Sequence, residues 1–258
     1  MSDFDAKARR ARLRLIGIGV GLGAAVVVGA VAVMGTLDSD EDGKPIAGAA
    51  PTASASASKG ASAPAPVEKF TPATAKTVVL KKPTIHTEGI GRGFTHSFHS
   101  SNAAAASYWQ DLAFLDDITA RKQLQAIVSK DSPQTVDAQI SKIRKLREGA
   151  GLPPSGAAPE GITFTKVVKA LRAKPIPGTD AEVVAVTMIY DIYGIEPNQG
   201  ADKNPRRDER VELIVKWESG DWKITDEEKY LVKSDYAVAY DPNSTEAFAD
   251  GWVMVNFG

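Results

Sequence analysis

The chain has no cysteine and only three histidines in 258 residues. The first absence removes disulfides, a thiol nucleophile and Cys-ligated zinc together. Net charge is also missing: the formal balance is −1 and the sequence pI is about 6.3. A folded part without a concentrated basic face gives no reason to expect direct nucleic-acid binding. There is no internal repeat, no phosphate-binding loop and no nucleophile elbow. With no cysteine to form a staple, any exported domain must stand on its apolar core alone.

What the chain does have is one long apolar run, Leu15 to Met34, reading LIGIGVGLGAAVVVGAVAVM. As a helix rising about 1.5 Å per residue it is roughly 30 Å long, the thickness of a bilayer's hydrocarbon core. A lone apolar run of this length must satisfy its own backbone in lipid, which a helix does. Lys7, Arg9, Arg10, Arg12 and Arg14 precede it, and Asp38, Asp40, Glu41 and Asp42 follow. Basic flanks stay on the cytoplasmic side, so the expected protein spans the cell membrane once, with its N-terminus inside and its bulk extracytoplasmic. A cleaved signal peptide is the alternative. Its apolar region is normally about 7–15 residues long and ends in a small-x-small site. Here Ala30-Val31-Ala32 lies inside the run, which favours a retained anchor. Gly17 with Gly21, and Gly19 with Gly23, are small-xxx-small pairs that let two helices approach, so self-association is one candidate partnership.

Four regions follow: a basic cytoplasmic tail (1–14), the transmembrane helix (15–35), an Ala/Ser/Pro-rich disordered linker (36–76) and a folded extracytoplasmic domain (77–258). The tail is too short for cytoplasmic chemistry, and its basic residues suit anionic headgroups. The linker cannot bury a core, and its use is reach.

The domain opens with β-prone Thr77 to Leu80 and the glycine-rich Gly89 to Phe94. Three helical segments are expected next. The first has cap candidates Ser100, Ser101 and Asn102 and places Ala105, Tyr108, Trp109, Leu112 and Leu115 on one face. The second opens at Asp116-Asp117. The third opens at Ser132-Pro133, carries Val136, Ile140 and Ile143, and stops at Gly149 or Gly151. Strands are expected at Ile162–Arg172, Ala181–Tyr193, Val211–Trp217 and Trp222–Ile224, the last two joined by a Glu218–Asp221 turn. In the second strand Val184, Val186, Met188, Tyr190 and Ile192 should face the core, and Thr187 and Asp191 the solvent. After Ser244 come a short helix and Trp252 to Val255. The order predicts an α+β domain, helices packed on a curved, cone-like antiparallel sheet.

That order, with the hairpin Trp217-Glu218-Ser219-Gly220-Asp221-Trp222-Lys223, resembles the nuclear-transport-factor-two-like (cystatin-like) cone. Anchor, tether and cone together resemble the VirB-eight-like scaffold proteins of type IV secretion and conjugation. The Gly93-Phe94 lead into Asn102–Ala106 is similar to integral membrane proteins predicted in actinobacteria and their mobile elements. The resemblance implies a scaffold, with other membrane or envelope proteins as partners, and brings no active-site motif. An accessory protein of an envelope lipid or solute transporter is an alternative, and so is a ligand-binding or enzymatic cone.

The residues themselves name no catalytic, cofactor or metal site. Asp191 and Glu212 fall on the face opposite the apolar one. Asp226 shares the core parity of Trp222 and Ile224 but lies near a strand end. Tyr190 reads as packing, with its hydroxyl at the rim. His96 and His99 are spaced for a metal on a helix, but they precede the helix caps, and His86 is remote; zinc needs three or four ligands. The loop Gly194–Arg207 is long for a hairpin and ends in basic Arg206 and Arg207. It reads as a solvated connection, with partner contact as the sharper alternative. Trp252, Met254 and Phe257 read as a final strand covering the sheet, with an exposed docking edge as the other reading.

Overall fold

The computed structural model describes residues 70–195 and 202–258, together with the backbone of Val26–Val27. The expected cytoplasmic tail, the expected span apart from those two residues, and the linker up to residue 69 lie outside the described residues. No helix among the described residues is long and apolar enough to cross a membrane.

The sheet is built from long alternating strands. Thr163–Pro175 (β5), Val183–Ile195 (β6) and Arg206–Glu218 (β7) form an antiparallel meander, and Asp221–Thr225 (β8) returns along the second half of β7. The turn between β7 and β8 is Ser219-Gly220. Both residues have positive φ, at 54° and 81°, as a two-residue turn matching strand twist requires. Val253–Phe257 (β9) pairs antiparallel with β5, and Val78–Leu80 (β2) adds parallel to β9. Register shifts at Val168/Ala170 in β5 and Tyr190/Ile192 in β6 mark bulges, which bend strands and curl the sheet. Val26–Val27 (β1) are extended, beside Val211–Glu212 of β7. That stretch of β7 lies beyond the reach of β8, and its unpaired edge offers backbone partners to an extended segment.

The concave face carries the main core. Val184, Val186, Met188, Tyr190 and Ile192 face it as their parity predicts, with Val211, Leu213 and Val215 beside them. Three helices cover it: Phe98–Asp111 (α1), Asp117–Ile127 (α2) and Gln134–Gly149 (α3). Ala103 to Ala106 of α1 are fully buried, and their small side chains let that helix lie close to the strands.

Two expected caps move. Ser97 caps α1, its Oγ accepting from Ser100 N at 3.2 Å, while Ser100, Ser101 and Asn102 are buried inside the helix. Ser132 does not cap α3. Its hydroxyl pairs with Thr225 Oγ1 at 2.9 Å and accepts from Asp226 N at 3.1 Å, tying the helix start to β8. Asp116 caps α2 as expected, accepting from Thr119 N at 2.8 Å.

The convex face departs most from expectation. It is not open to solvent, because the chain from Asp226 onward crosses it. Ala237, Ala247 and Trp252 pack on Ala170 and Ile189, and Tyr230 and Leu231 pack on Ile176, Val183, Ala185 and Ile214. This layer includes two short helices, Glu228–Leu231 (α4) and Thr245–Asp250 (α5). It is clamped by Arg172, which lies 2.9 Å from Asp250 and 2.6 Å from Asp235. Asp191 on this face is only 2% exposed, held by Lys169 at 2.7 Å, by Asp208 N at 3.0 Å and by Tyr193 Oη at 3.1 Å.

The folded part also begins before the expected Thr77. Phe70 packs against Phe248, ring centroids 6.0 Å apart, and Ala73 N donates to Pro242 O at 2.8 Å.

A buried carboxylate fixes the loop after α3. Asp117 accepts from Arg144 Nε at 2.8 Å, Gly156 N at 2.7 Å and Ser155 Oγ at 2.8 Å. These donors outweigh the burial that opposes them and hold its pKa down at about 2. A carboxyl lowered in the fold stabilises it above the unfolded pKa near 4, and that stabilisation is lost as pH falls towards 2. Asp117→Asn is expected to cost about 2 kcal/mol at pH 7. The difference from wild type should shrink to near zero by pH 2, read as urea midpoints across that range.

Candidate functional site

The most unusual side chain is Lys166. On β5 it alternates with the core residues Phe164 and Val168, so it points into the concave face, 6% exposed. Its ammonium donates to Leu112 O at 2.6 Å, just past the end of α1, and lies 4.7 Å from the centroid of the Trp109 ring. No carboxylate pairs with it within ion-pair distance among the described residues. Burial drives its pKa down to about 7, and the more distant Asp111 pulls weakly the other way. Lys166 stands opposite Ile192, which stands opposite Arg206, so the three form one row across the concave face. The next row is Val168, Tyr190 and Glu209. Trp109 covers this second row, edge-on to Tyr190 at 5.1 Å. Burial raises the Tyr190 phenol well above its ordinary value. Arg206 is spent on Glu209, 2.9 Å away.

This group could offer an amine that changes charge near neutral pH, but the amine is enclosed by the indole and the end of α1. A cavity between α1, α2, α3 and the β7–β8 edge, lined by Trp109, Leu112, Leu124, Thr135, Gln139 and Leu213 among others, measures about 10 Å³. That is room for about one water, against several hundred Å³ for a ligand pocket.

The second cluster is the β7–β8 hairpin. Trp222 is fully buried. Its indole Nε1 donates to Thr95 O at 3.1 Å, and its carbonyl accepts from Tyr108 Oη at 2.7 Å. Asp221 takes Arg92 Nε at 3.0 Å and caps the Trp222 N–H at 3.0 Å. Trp217 stacks on His96, 4.4 Å apart and nearly parallel, and His96 reaches Glu182 at 2.8 Å. The hairpin thus grips the arm that runs from Ile85–Thr87 (β3) and Ile90–Arg92 (β4) to α1. Gly91 of that arm serves packing: a Cβ there would come within 2.5 Å of Pro83 Cγ and 2.6 Å of Ser107 Oγ.

A third network ties Lys216 to Asp131 and, at 3.3 Å, to Glu227. Beside it Ser129 Oγ donates to Glu218 at 2.6 Å. This joins the α2–α3 loop to the same hairpin.

The residues singled out from sequence are scattered. His99 Nε2 is 3.3 Å from Val79 O, His96 is on Trp217, and His86 is exposed on β3, so the spacing of His96 and His99 brings no shared ligand position. Glu212 accepts from Thr187 at 3.0 Å and Asp226 from Gln134 at 2.7 Å; each holds one element to another. Arg206 lies in β7 and Arg207 is exposed. Trp252 and β9 lie within the folded layers, which is the covering-strand reading. Lys166 was not singled out, although its parity with Phe164 and Val168 carries the signal. No protein-family model, curated protein or solved structure matches the chain.

Proposed function

We propose that the chain is a single-pass membrane scaffold that works by protein–protein association outside the cytoplasm, as a component of a secretion or conjugative transfer complex. The observation that carries this is the charge-free run Leu15–Met34 between a basic and an acidic flank. The described domain supports it from another side. Its buried polar groups fasten one segment to the next: Asp117 holds a loop, Asp221 an arm, and Arg172 the C-terminal layer. A rigid body on a tether suits assembly.

The anchor excludes the β1 pairing. Val26 and Val27 cannot lie at the middle of a bilayer and also pair with Val211–Glu212 of an exported domain. The test is made on native membranes. Carbonate washing should leave the full chain in the pellet, and protease added outside should remove the bulk of it. Cross-linking should then recover other membrane proteins: coupling ATPases and relaxases for transfer, permeases for a transporter accessory. Release by carbonate, or a chain that captures no membrane protein, counts against the proposal.

A further inference from the structure

The convex layer displays apolar side chains around the point where the linker joins the domain. Tyr236 is 95% exposed, Val232 72%, and Val238 and Phe70 46% each. Tyr236 is not on a loose loop. The residue before it, Asp235, is held by Arg172 at 2.6 Å and Lys174 at 3.0 Å. The residue after it, Ala237, is buried against Trp252. Val238 N donates to Asp250 at 2.9 Å, and Val238 O accepts from the Trp252 indole at 2.9 Å. A ring fully in water between clamped neighbours is pre-organised, so it loses little freedom when something covers it.

We infer that this strip rests on the headgroup region of the bilayer that carries the chain, with Tyr236 as its interfacial anchor; this builds on the membrane-anchored reading above. Three observations choose lipid over a second protein. The first is where the outside chain ends. Phe70 sits on Phe248 of α5, and Ala73 bonds to Pro242, six residues from Tyr236 and so within about 20 Å of it along the chain. The second is reach. The Ala/Ser/Pro-rich composition between residues 36 and 69 is that of a flexible tether, for which this length gives roughly 30 Å root-mean-square. Such a tether holds the strip at high effective concentration against the bilayer, where weak contacts suffice. The third is composition. The strip is one tyrosine with a few flanking apolar side chains, and single aromatic side chains with a polar tip favour the membrane–water boundary. Charge opposes this only weakly: exposed Glu228 and Asp241 stand against exposed Lys233. Asp235 is matched by Arg172 and Lys174, and Glu227 by Lys216 and Lys229.

The absence of cysteine makes the test clean. The full chain, reconstituted in vesicles of phosphatidylcholine and phosphatidylglycerol, carries one polar fluorophore on Ala239→Cys, beside the strip, or on Ile118→Cys. Ile118 is 54% exposed on α2, across the sheet. Lipids brominated near the headgroup should quench the label at 239 by roughly twofold and leave the one at 118 unchanged, as surface contact demands. Adding Tyr236→Ser to the Ala239→Cys chain should remove most of that quenching. Equal quenching at both positions, or none at 239, overturns the inference. A spectral shift at 239 without quenching means a protein covers the strip, and also overturns it. Carbonate washing separates the two failures: a pelleted chain with an unquenched label sinks this inference alone, and a released chain sinks the anchor with it.

Discussion

Replacing Lys166 with methionine is expected to stabilise the domain by about 2–4 kcal/mol at pH 7 and below, and to destabilise it by roughly 1–3 kcal/mol well above pH 10, where only the lost hydrogen bond counts. The sign follows from the amine's two environments. In the unfolded chain it titrates near 10.4, and in the fold near 7. Between those values the unfolded state binds the proton and the native state does not, so wild-type stability rises with pH across that window. Below pH 7 the native state carries a buried cation with a carbonyl and an indole for company, and the full penalty applies. Methionine fills a similar volume without the charge. It leaves Leu112 O without its donor, which returns roughly 1–3 kcal/mol of the gain. Urea midpoints of both forms at pH 6, 8 and 10 decide it. A Lys166→Met protein less stable than wild type at every pH would mean the amine makes a net favourable contact.

Trp222→Ala is expected to cost about 4–5 kcal/mol, a large share of the 5–15 kcal/mol a domain usually has. Three losses combine. A fully buried indole leaves a cavity, the Thr95 carbonyl loses its donor, and the Trp217–Trp222 edge contact at 5.4 Å disappears. Trp222→Phe keeps most of the apolar volume and should cost about 1–2 kcal/mol. Limited proteolysis gives a second reading, because cleavage of Trp222→Ala should start in the arm between Pro83 and Ser97. A cost below roughly 1.5 kcal/mol would show that the hairpin does not hold the arm.

The two substitutions also show which parts of the fold could be read from the chain. The meander was legible because the even positions Val184 to Ile192 of β6 and the odd positions Val211 to Trp217 of β7 are apolar without a break, and because Ser219-Gly220 is a turn with its own stereochemistry. The short helix after Ser244 was legible for a similar reason: Ser244 Oγ accepts from Glu246 N and Ala247 N, both at 3.1 Å. The convex layer was not. The chain from Asp226 to Tyr240 has no helical or strand period, so nothing local announces that it covers Val183, Ala185 and Ile189. Asp191 was misplaced for a different reason: Lys169 and the Asp208 N–H from the neighbouring strands, with Tyr193 from its own, close over its carboxylate. The α1 cap was ambiguous in chemistry, since Ser97, Ser100, Ser101 and Asn102 all carry a capping oxygen. Burial of the last three against the sheet decides it. Lys166 lay hidden in the opposite way: its parity was plain, but a lysine on an apolar face reads as an exception until Trp109 and Leu112 are seen around it.

The position of β9 bears on how the protein is made. This last strand lies between β5, from the middle of the domain, and β2, from its beginning. Synthesis runs from β2 towards β9, so β2 has nothing to bind until Val253–Phe257 follows. The sheet then closes only when the whole domain has been made, and an open intermediate persists until then.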